Sequence, residues 1–253
     1  MAARSLTLTA LAGLPLVGPG DDLAALIVAA LRRNAISPED GDILVIAQKV
    51  VSKAEGRLAD LRSVTPSPRA VALAKEVGKD ARVVEVILSE SSEVVRHRAG
   101  VLVVAHRLGF VMANAGVDQS NVGGEEHVLL LPRDPDASAA ALKAALDREF
   151  DAELGIVIND SFGRAWRNGV VGVALGAAGV PSLRDMIGEP DLFGRPLRVT
   201  TVAVADELAA AASLLMGQGA EGLPVVHVRG LVCDAPTLPA AALLRPKHMD
   251  LFR

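Results

Sequence analysis

Short apolar segments alternate with helical patterns along the whole of this 253-residue chain. The segments are rich in Val, Ile and Leu and short enough for strands that are buried or half-buried in a sheet. They lie at residues 5–11, 43–47, 128–131, 155–158, 197–204 and 224–228. Two further segments, 101–105 and 110–113, are separated by a turn at Leu108-Gly109 and predict an antiparallel hairpin. This hairpin argues against a purely parallel, doubly wound sheet.

Helical patterns fill the stretches between the apolar segments. Predicted helices lie at residues 23–33, 67–77, 80–90, 134–150 and 206–216. The chain contains no GxxxxGK[ST] phosphate loop, and Gly18-Pro19-Gly20 lacks the third glycine of a dinucleotide fingerprint. We therefore predict an α+β fold (mixed α/β) with mixed sheets and hairpins, which is neither a Rossmann nor a P-loop fold.

The composition excludes several classes of protein. Aromatic residues make up 2% of the chain and its pI is near 5.8, so it lacks the stacking side chains and the basic surface of a nucleic-acid-binding protein. The only cysteine, Cys233, can form no intramolecular disulfide and no CxxC site. No apolar stretch approaches the roughly 18 residues that span a bilayer. We expect a soluble, cytoplasmic protein that binds small molecules, with no nucleic-acid or membrane partner.

Two lysines follow the predicted strand at residues 43–47. The chain has only six Lys, and two of them, Lys49 and Lys53, lie in the segment 48–56. Loops at strand ends are where α/β folds place ligands, and a compact ammonium group can follow a migrating phosphoryl group. A solvated turn with incidental lysines explains the segment equally well.

Two later segments contain possible oxygen ligands for a cation. Residues 113–121 combine small residues and amides with Asp118, which is typical of either a plain turn or a cation site beside a phosphate. Residues 156–169 run from an apolar strand into Asp160 and Ser161, whose oxygen atoms are of the hard type that Mg²⁺ or Mn²⁺ binds. Phe162 and Trp166 follow, and they either fill the core or contribute to a binding site.

Glycines follow the predicted helix at 206–216. Gly217, Gly219 and Gly222 lie within six residues. They indicate either a helix C-cap followed by a turn, or a loop that lets its backbone approach a base or a phosphate. This segment alone does not decide between the two.

Together, these segments resemble the coenzyme F420:L-glutamate ligase family, also called F420-0 gamma-glutamyl ligase. The resemblance extends in order from about residue 6 to residue 231. The residues that carry it are Gly13-Leu14-Pro15-Leu16, Gly20-Asp21-Asp22-Leu23, Val51-Ser52-Lys53-Ala54-Glu55-Gly56-Arg57, Asn114-Ala115-Gly116-Val117-Asp118, Ser120-Asn121, Leu130-Leu131-Pro132, Asp134-Pro135-Asp136, Asp160-Ser161-Phe162-Gly163-Arg164, Trp166-Arg167 and Leu215-Met216-Gly217.

The resemblance implies a GTP-dependent ligase that acts as a homodimer. Such an enzyme adds L-glutamate to the carboxylate of F420-0, a deazaflavin phosphodiester, and extends the product by gamma-linked glutamates, releasing GDP and phosphate. We expect an acyl-phosphate intermediate, because a carboxylate needs a leaving group before an amine attacks it. Two alternatives are a nucleotide-dependent kinase that stops after phosphoryl transfer and a non-catalytic GTP- and metal-binding module.

The resemblance also assigns the binding residues. Divalent cations, Mg²⁺ or Mn²⁺, would bind at two sites, and a monovalent cation is left open. The metal ligands would be Asp118, Asp160, Ser161 and Gln218. The nucleotide would be lined by Leu14, Pro15, Leu16, Val17, Gln48, Lys49, Lys53, Asn121, Met216, Gly217, Gln218, Gly219, Ala220, Glu221, Gly222 and Leu223. Some members have Thr in place of Ser161, and Gln218 replaces an acid of some relatives, which removes a charge from the second metal site.

Five residues are predicted to be catalytic. Lys49 and Lys53 would neutralise the transferred phosphoryl group, and Asp160 would hold a cation. Arg164 and Arg167 would grip the phosphodiester of the substrate or the carboxylates of glutamate. The deazaflavin would stack on Phe162 or Trp166, whereas guanine would be recognised around Asn121 and residues 217–222. The ligase domain is predicted at residues 1–234, and residues 235–253 form a peripheral tail that resembles the start of a junction to a nitroreductase-like domain.

Overall fold

The structure, a computed structural model, describes residues 3–250 of the chain. Within this range the helices are α1 (Leu23–Arg33), α2 (Gln48–Ala54), α3 (Pro68–Val77), α4 (Ala81–Ser89), α5 (Pro135–Phe150) and α6 (Val204–Met216). The strands are β1 (Thr7–Ala10), β2 (Ile43–Ala47), β3 (Leu58–Asp60), β4 (Ser91–Arg98), β5 (Val101–His106), β6 (Val111–Ala113), β7 (His127–Leu129), β8 (Gly155–Arg164), β9 (Arg167–Ala178), β10 (Arg184–Asp185), β11 (Thr201–Val202) and β12 (Val225–Arg229).

A five-stranded mixed sheet forms the centre of the molecule, in the order β1-β12-β2-β8-β9. Strands β2 and β8 are parallel, and the other neighbours are antiparallel. The prediction of an α+β fold with mixed sheets and hairpins is therefore confirmed, and the fold is not Rossmann-like. Because β2 and β8 are parallel, their carboxyl ends meet at one edge of the sheet.

The central sheet is covered on both faces. Alternate side chains of β2 point to opposite faces: Leu44 and Ile46 pack with α1 and α5, whereas Ile43 and Val45 pack with α6. These side chains are almost fully buried. Burial on both faces explains why β2 is continuously apolar rather than alternating.

A second, antiparallel sheet has the order β4-β5-β6 and packs against α3 and α4. The predicted hairpin at 101–113 is confirmed as β5 and β6, whereas β4 was not predicted. A cluster that includes Phe110, Leu131 and Leu175 connects this sheet to the β8–β9 hairpin. Strands β3 and β7 form a separate two-stranded antiparallel sheet. The predicted strand at 128–131 is confirmed as β7, displaced by one to two residues.

Side-chain caps explain why several helices begin where they do. Asp22, Ser67, Asp80 and Asp134 each accept a hydrogen bond from a backbone N–H in the first turn of the helix that follows. Gly78 ends α3 with a φ of 67°, in the left-handed region that glycine adopts without a steric cost. The predicted helices at 23–33, 67–77, 80–90, 134–150 and 206–216 are confirmed with small changes at their ends.

Three local predictions were wrong. Residues 48–54 form α2 rather than a loop, because Gln, Lys and Ala favour a helix directly after β2. Strand β8 does not end at Asn159-Asp160 but continues to Arg164, because β9 pairs with its polar half. Only Thr201–Val202 of the predicted strand at 197–204 is extended and paired, and α6 already begins at Val204.

The division at residue 234 stays a prediction, but part of the tail is packed. Ala240 is fully buried in the cluster below α6, and Ser182 Oγ donates to Leu238 O at 2.6 Å. No helix within residues 3–250 is long and apolar enough to cross a membrane.

Candidate functional site

Helix α2 begins at the carboxyl end of β2 and carries both predicted lysines. Lys49 and Lys53 are four residues apart, so they lie on the same face of the helix. Lys49 Nζ lies 2.7 Å from Asp118 Oδ2 and donates to Ser120 Oγ at 2.6 Å. Lys53 Nζ donates to the backbone carbonyl of Asn121 at 2.7 Å. Helix α2 is thus tied to the segment 118–121 by two ammonium groups.

Asp118 is held by its own backbone. It follows a turn in which Asn114, Ala115 and Gly116 have φ values of 55°, 53° and 68°, a left-handed conformation that non-glycine residues adopt only at a cost. Asp118 N donates to Leu129 O at 3.0 Å, and Leu129 N donates to Asp118 O at 2.8 Å. Its carboxylate accepts hydrogen bonds from Ser120 N at 2.7 Å and Ser120 Oγ at 3.0 Å.

Asp160 and Ser161 are neighbours on β8, so their side chains point to opposite faces of the strand. Asp160 Oδ1 accepts a hydrogen bond from Ser161 N at 2.8 Å. Ser161 Oγ donates to Gln218 Oε1 at 2.8 Å. Asp160 therefore belongs with Lys49 and Asp118, and Ser161 belongs with the glycine-rich loop after α6.

The two carboxyl groups of the site differ in their electrostatic surroundings. Burial raises the pKa of Asp160 to about 6, and the charge of Asp118 adds to this, against the opposing effects of the Ser161 N–H and the Lys49 charge. Burial also acts to raise the pKa of Asp118, but the hydrogen bonds from Lys49 and Ser120 outweigh it and lower the pKa. Burial and the charge of Lys49 lower the pKa of Lys53. The site thus pairs an ionised Asp118 with a carboxyl group that lacks an equivalent cation.

The glycine-rich loop, residues 217–223, covers the same edge of the central sheet. Gly217 leaves α6 with φ 71° and ψ −173°, a conformation confined to glycine. Glu221 folds back and accepts a hydrogen bond from Gly219 N at 2.8 Å. Asn121 Nδ2 lies 3.5 Å from Gly219 O, and Pro224 O accepts from Ala47 N at 2.8 Å. The loop therefore joins the ends of α6, β2 and the segment 118–121.

The residues predicted near the amino terminus lie beside α2. Leu14 packs against the core, Val17 is buried and Leu16 is exposed. Gly20 N donates to Ala54 O at 2.9 Å, which holds this segment against the end of α2. Gln48 is buried and accepts from Ser52 Oγ at 2.8 Å within α2. The amino-terminal segment is thus anchored at the carboxyl end of α2.

The two arginines lie at the tip of the β8–β9 hairpin, beyond the carboxylates. Arg164 and Arg167 are exposed, and they stand opposite each other in the strand register as the last residue pair of the hairpin. Trp166, between them, is 86% exposed, whereas Phe162 is partly buried against the Phe110 and Leu131 cluster. The interpretation that aromatics here fill the core thus holds for Phe162 and is wrong for Trp166.

Comparison with known proteins identifies the family. Residues 13–230 match the model of the family described as F420-0:Gamma-glutamyl ligase. The chain belongs to this family. It is 49% identical, over 98% of its length and 99% of the relative's, to the Coenzyme F420:L-glutamate ligase of Methanothermobacter thermautotrophicus. The protein of that name from Methanopyrus kandleri is 47% identical over 94% of the chain and 93% of its own length. The one from Archaeoglobus fulgidus is 48% identical over 87% of the chain and 85% of its own length.

Four side chains of this F420-0:gamma-glutamyl ligase family member carry oxygen atoms of the kind that divalent cations bind. Asp118, Asp160, Ser161 and Gln218 offer carboxylate, hydroxyl and amide oxygens, which Mg²⁺ and Mn²⁺ prefer. The raised pKa of Asp160 marks a carboxylate that a cation would stabilise in its charged form. Among residues 3–250, no three His, Cys, Asp or Glu side chains are grouped closely enough to hold a metal ion. Neutral oxygens and phosphates would therefore complete the coordination.

Two polar residues of this ligase-family site were not predicted to act there. Ser120 bonds to both Lys49 and Asp118, and its position two residues after an aspartate is typical of an Asx-turn. Asn159 is buried between β8 and α6, where its side chain contacts Ser213 and Met216. A polar residue at the end of an apolar run was the only sequence signal for Asn159.

Proposed function

We propose that this chain is a GTP-dependent ligase that adds L-glutamate to F420-0 and extends the product by gamma-linked glutamates. Membership of the F420-0:gamma-glutamyl ligase family supports the substrates. The observation that carries the proposal is the grouping of Lys49, Asp118 and Asp160 beside the carboxyl end of β2, where its parallel pairing with β8 ends. Two carboxylates and adjacent ammonium groups suit phosphoryl transfer, which needs alignment and charge neutralisation more than covalent help.

In the first step, a carboxylate oxygen of the deazaflavin attacks the γ-phosphorus of GTP. The bond from that phosphorus to the β–γ bridging oxygen breaks, which gives an acyl phosphate and GDP. The ammonium groups of Lys49 and Lys53 would follow the negative charge on the transferred group. Burial and the charge of Lys49 lower the pKa of Lys53, so its ammonium group loses a proton more readily than that of an exposed lysine.

In the second step, the deprotonated amine of glutamate attacks the acyl carbon, and phosphate leaves with the oxygen that linked it and takes up the proton that the nitrogen loses. Asp118 and Asp160, with Ser161 and Gln218, would hold the divalent cations. Bound there, the cations would supply charge neutralisation at the phosphate oxygens. The loop 217–223, with Asn121 and the segment 14–17, would enclose the nucleotide.

The exposed tip of the β8–β9 hairpin suits a flat, anionic substrate. Arg164 and Arg167 offer guanidinium groups for a phosphodiester or for the carboxylates of glutamate. Trp166 lies between them with its ring accessible, so we propose that the deazaflavin stacks on Trp166 rather than on Phe162.

A GDP-release assay tests the function. The chain is incubated with GTP, Mg²⁺ or Mn²⁺, F420-0 and glutamate, and each component is omitted in turn. A ligase requires all of them for sustained turnover. A kinase would accumulate a stable phosphorylated product without glutamate, and a non-catalytic module would bind GTP without substrate-dependent GDP formation. Either of these results would overturn the proposal.

We also propose a homodimer and a cytoplasmic location. Val170 on the edge strand β9 and Leu214 on α6 are large exposed apolar residues on elements that pack together. A second copy of the chain would cover such a surface. Sedimentation velocity should give a dimer for the wild type and a monomer for Leu214→Lys. A wild-type monomer at micromolar concentration would contradict this.

A further inference from the structure

Asn159 is a buried polar residue between β8 and α6, and it is only 5% exposed. Asn159 Nδ2 donates to Ser213 Oγ at 3.0 Å and lies 3.3 Å from Met216 Sδ. Asn159 Oδ1 is buried and has no hydrogen-bond partner within residues 3–250. The carboxamide is therefore only half satisfied.

The two residues that Asn159 contacts determine where the glycine-rich loop begins. Ser213 and Met216 lie in the last turn of α6, and Gly217 leaves the helix immediately afterwards. One residue later, Gln218 accepts the hydrogen bond of Ser161. The position of the last turn of α6 on β8 thus sets the position of the loop 217–223.

Stability alone does not account for an asparagine at this position. A buried carbonyl oxygen without a partner costs free energy, and an apolar residue of similar size would avoid that cost. Residues of the α6-facing core, such as Val157 two positions earlier on the same face of β8, are apolar. Polar residues that lower stability in a core are most often found where function requires them.

We propose that Asn159 is a positioning residue for nucleotide binding. Its Nδ2 holds the carboxyl end of α6 against β8, so that the loop 217–223 is already placed for the nucleotide before it binds. The inference rests on the proposed function, because it takes GTP as the ligand of this loop. Preorganising a loop raises affinity, because less ordering is required on binding.

The test compares three variants in the full chain. Asn159→Leu keeps the branched shape and the number of side-chain heavy atoms and removes the donor, and Ser213→Ala removes one acceptor. Ser182→Ala is the matched control, since Ser182 is also fully buried, near the other end of α6, and donates to Leu238 O at 2.6 Å. The melting temperature is measured without ligand, and the Kd for GTP with Mg²⁺ is measured by titration calorimetry.

The expected results separate a positioning role from a structural one. Asn159→Leu should leave the melting temperature unchanged or raise it, while the Kd for GTP rises by about tenfold or more, and Ser213→Ala should raise the Kd by a smaller factor. Ser182→Ala should lower the melting temperature and leave the Kd unchanged. An unchanged Kd in Asn159→Leu, with or without a loss of stability, would overturn the inference. If Asn159→Leu does not fold, an unchanged Kd in Ser213→Ala overturns it.

Failure of the proposed function gives a different result. In that case the wild type does not bind GTP, and amide hydrogen exchange of residues 217–223 without ligand becomes the readout. Faster exchange of this loop in Asn159→Leu than in the wild type would support the positioning role, and equal exchange would overturn it.

Discussion

The ammonium nitrogen of Lys49 lies 2.7 Å from Asp118 Oδ2, across the gap between α2 and the segment that follows β6. This contact gives the two carboxylates of the site different electrostatic surroundings. Burial acts to raise the pKa of Asp118, but the hydrogen bonds from Lys49 and Ser120 outweigh it and lower the pKa, whereas burial raises the pKa of the partly exposed Asp160 to about 6. A divalent cation would complete the charge balance at Asp160 in particular.

Removing the ammonium group should impair phosphoryl transfer. Lys49→Gln leaves Asp118 without its cation and the transferred phosphoryl group without one neutralising charge, so we expect GDP release to fall by about 100-fold. The assay is substrate-dependent GDP release at saturating GTP. Lys247→Gln, which breaks a surface ion pair with Glu93, is the control and should keep full activity. Equal rates for Lys49→Gln and the control would contradict the role of Lys49.

Asp160→Asn should stabilise the metal-free protein at alkaline pH. The folded-state pKa of about 6 lies above the ordinary value of 3.8, so the folded state binds the proton more tightly. The free energy of unfolding therefore falls as pH rises from about 4 to about 6, and the full cost, about 3 kcal/mol at most, is present above that window. Urea unfolding in a chelator should show Asp160→Asn to be the more stable protein at about pH 8.

The same variant should lose activity. Asp160→Asn cannot supply a carboxylate to a cation, so metal-dependent GDP release should be abolished while the fold is kept. Glu125→Gln, which neutralises an exposed acid, should change neither property. A lower stability of Asp160→Asn than of the wild type at about pH 8 would contradict the raised pKa of Asp160. Retained GDP release in Asp160→Asn would show that Asp160 does not bind an essential cation.

Gln218→Glu should strengthen the binding of the second cation. The carboxylate would replace a neutral amide oxygen beside Ser161, and we expect the Kd for Mn²⁺ to fall by about tenfold. Ser161→Thr keeps the hydroxyl and should bind as the wild type does, whereas Ser161→Ala should bind more weakly. Titration followed by electron paramagnetic resonance measures each Kd. The control is Gln119→Glu, at a position outside the proposed metal ligands, and an equal gain there would show a non-specific charge effect.

Asp136 should be important for stability but not for nucleotide affinity. Its carboxylate accepts hydrogen bonds from Ala177 N and Ala240 N at 2.8 Å and from Ala241 N at 3.1 Å. Asp136→Ala leaves these N–H groups without their acceptor, so the free energy of unfolding should fall by about 3 kcal/mol. Glu149→Gln, at a surface pair with Arg32, should change it by about 1 kcal/mol or less. A similar loss of unfolding free energy in both variants would contradict the stabilising role of Asp136.

Local sequence signals predicted most of the helices and the centre of the sheet. Caps and prolines define the first turns of α3 and α5, and the apolar run of β2 leaves no alternative to burial on both faces. The candidate site residues on α2 and β8 were also singled out, because lysines and an acid follow the predicted strands there, and their roles stay predictions. These features depend on residues that are close in sequence.

The features that were not predicted depend on distant partners. The polar half of β8 is extended because Val170 to Val173 of β9 pair with it, and nothing within Asp160 to Gly163 indicates a strand. In the same way, Asp206 accepts a hydrogen bond from Ala174 N on β9, so an acid that fits a helix start also completes the sheet. Because Asp160 and Ser161 were expected to lie beyond the end of the strand, the placement of their side chains on opposite faces of β8 was not predicted.

Mass spectrometry of the deazaflavin, after incubation with the chain, GTP, a divalent cation and glutamate, tests the ligase reaction most directly. We expect products heavier than F420-0 by one or more glutamyl residues, formed with a matching amount of GDP and absent when glutamate or GTP is omitted. Unmodified F420-0, or a phosphorylated deazaflavin without glutamate, as the only species in the complete mixture would contradict it.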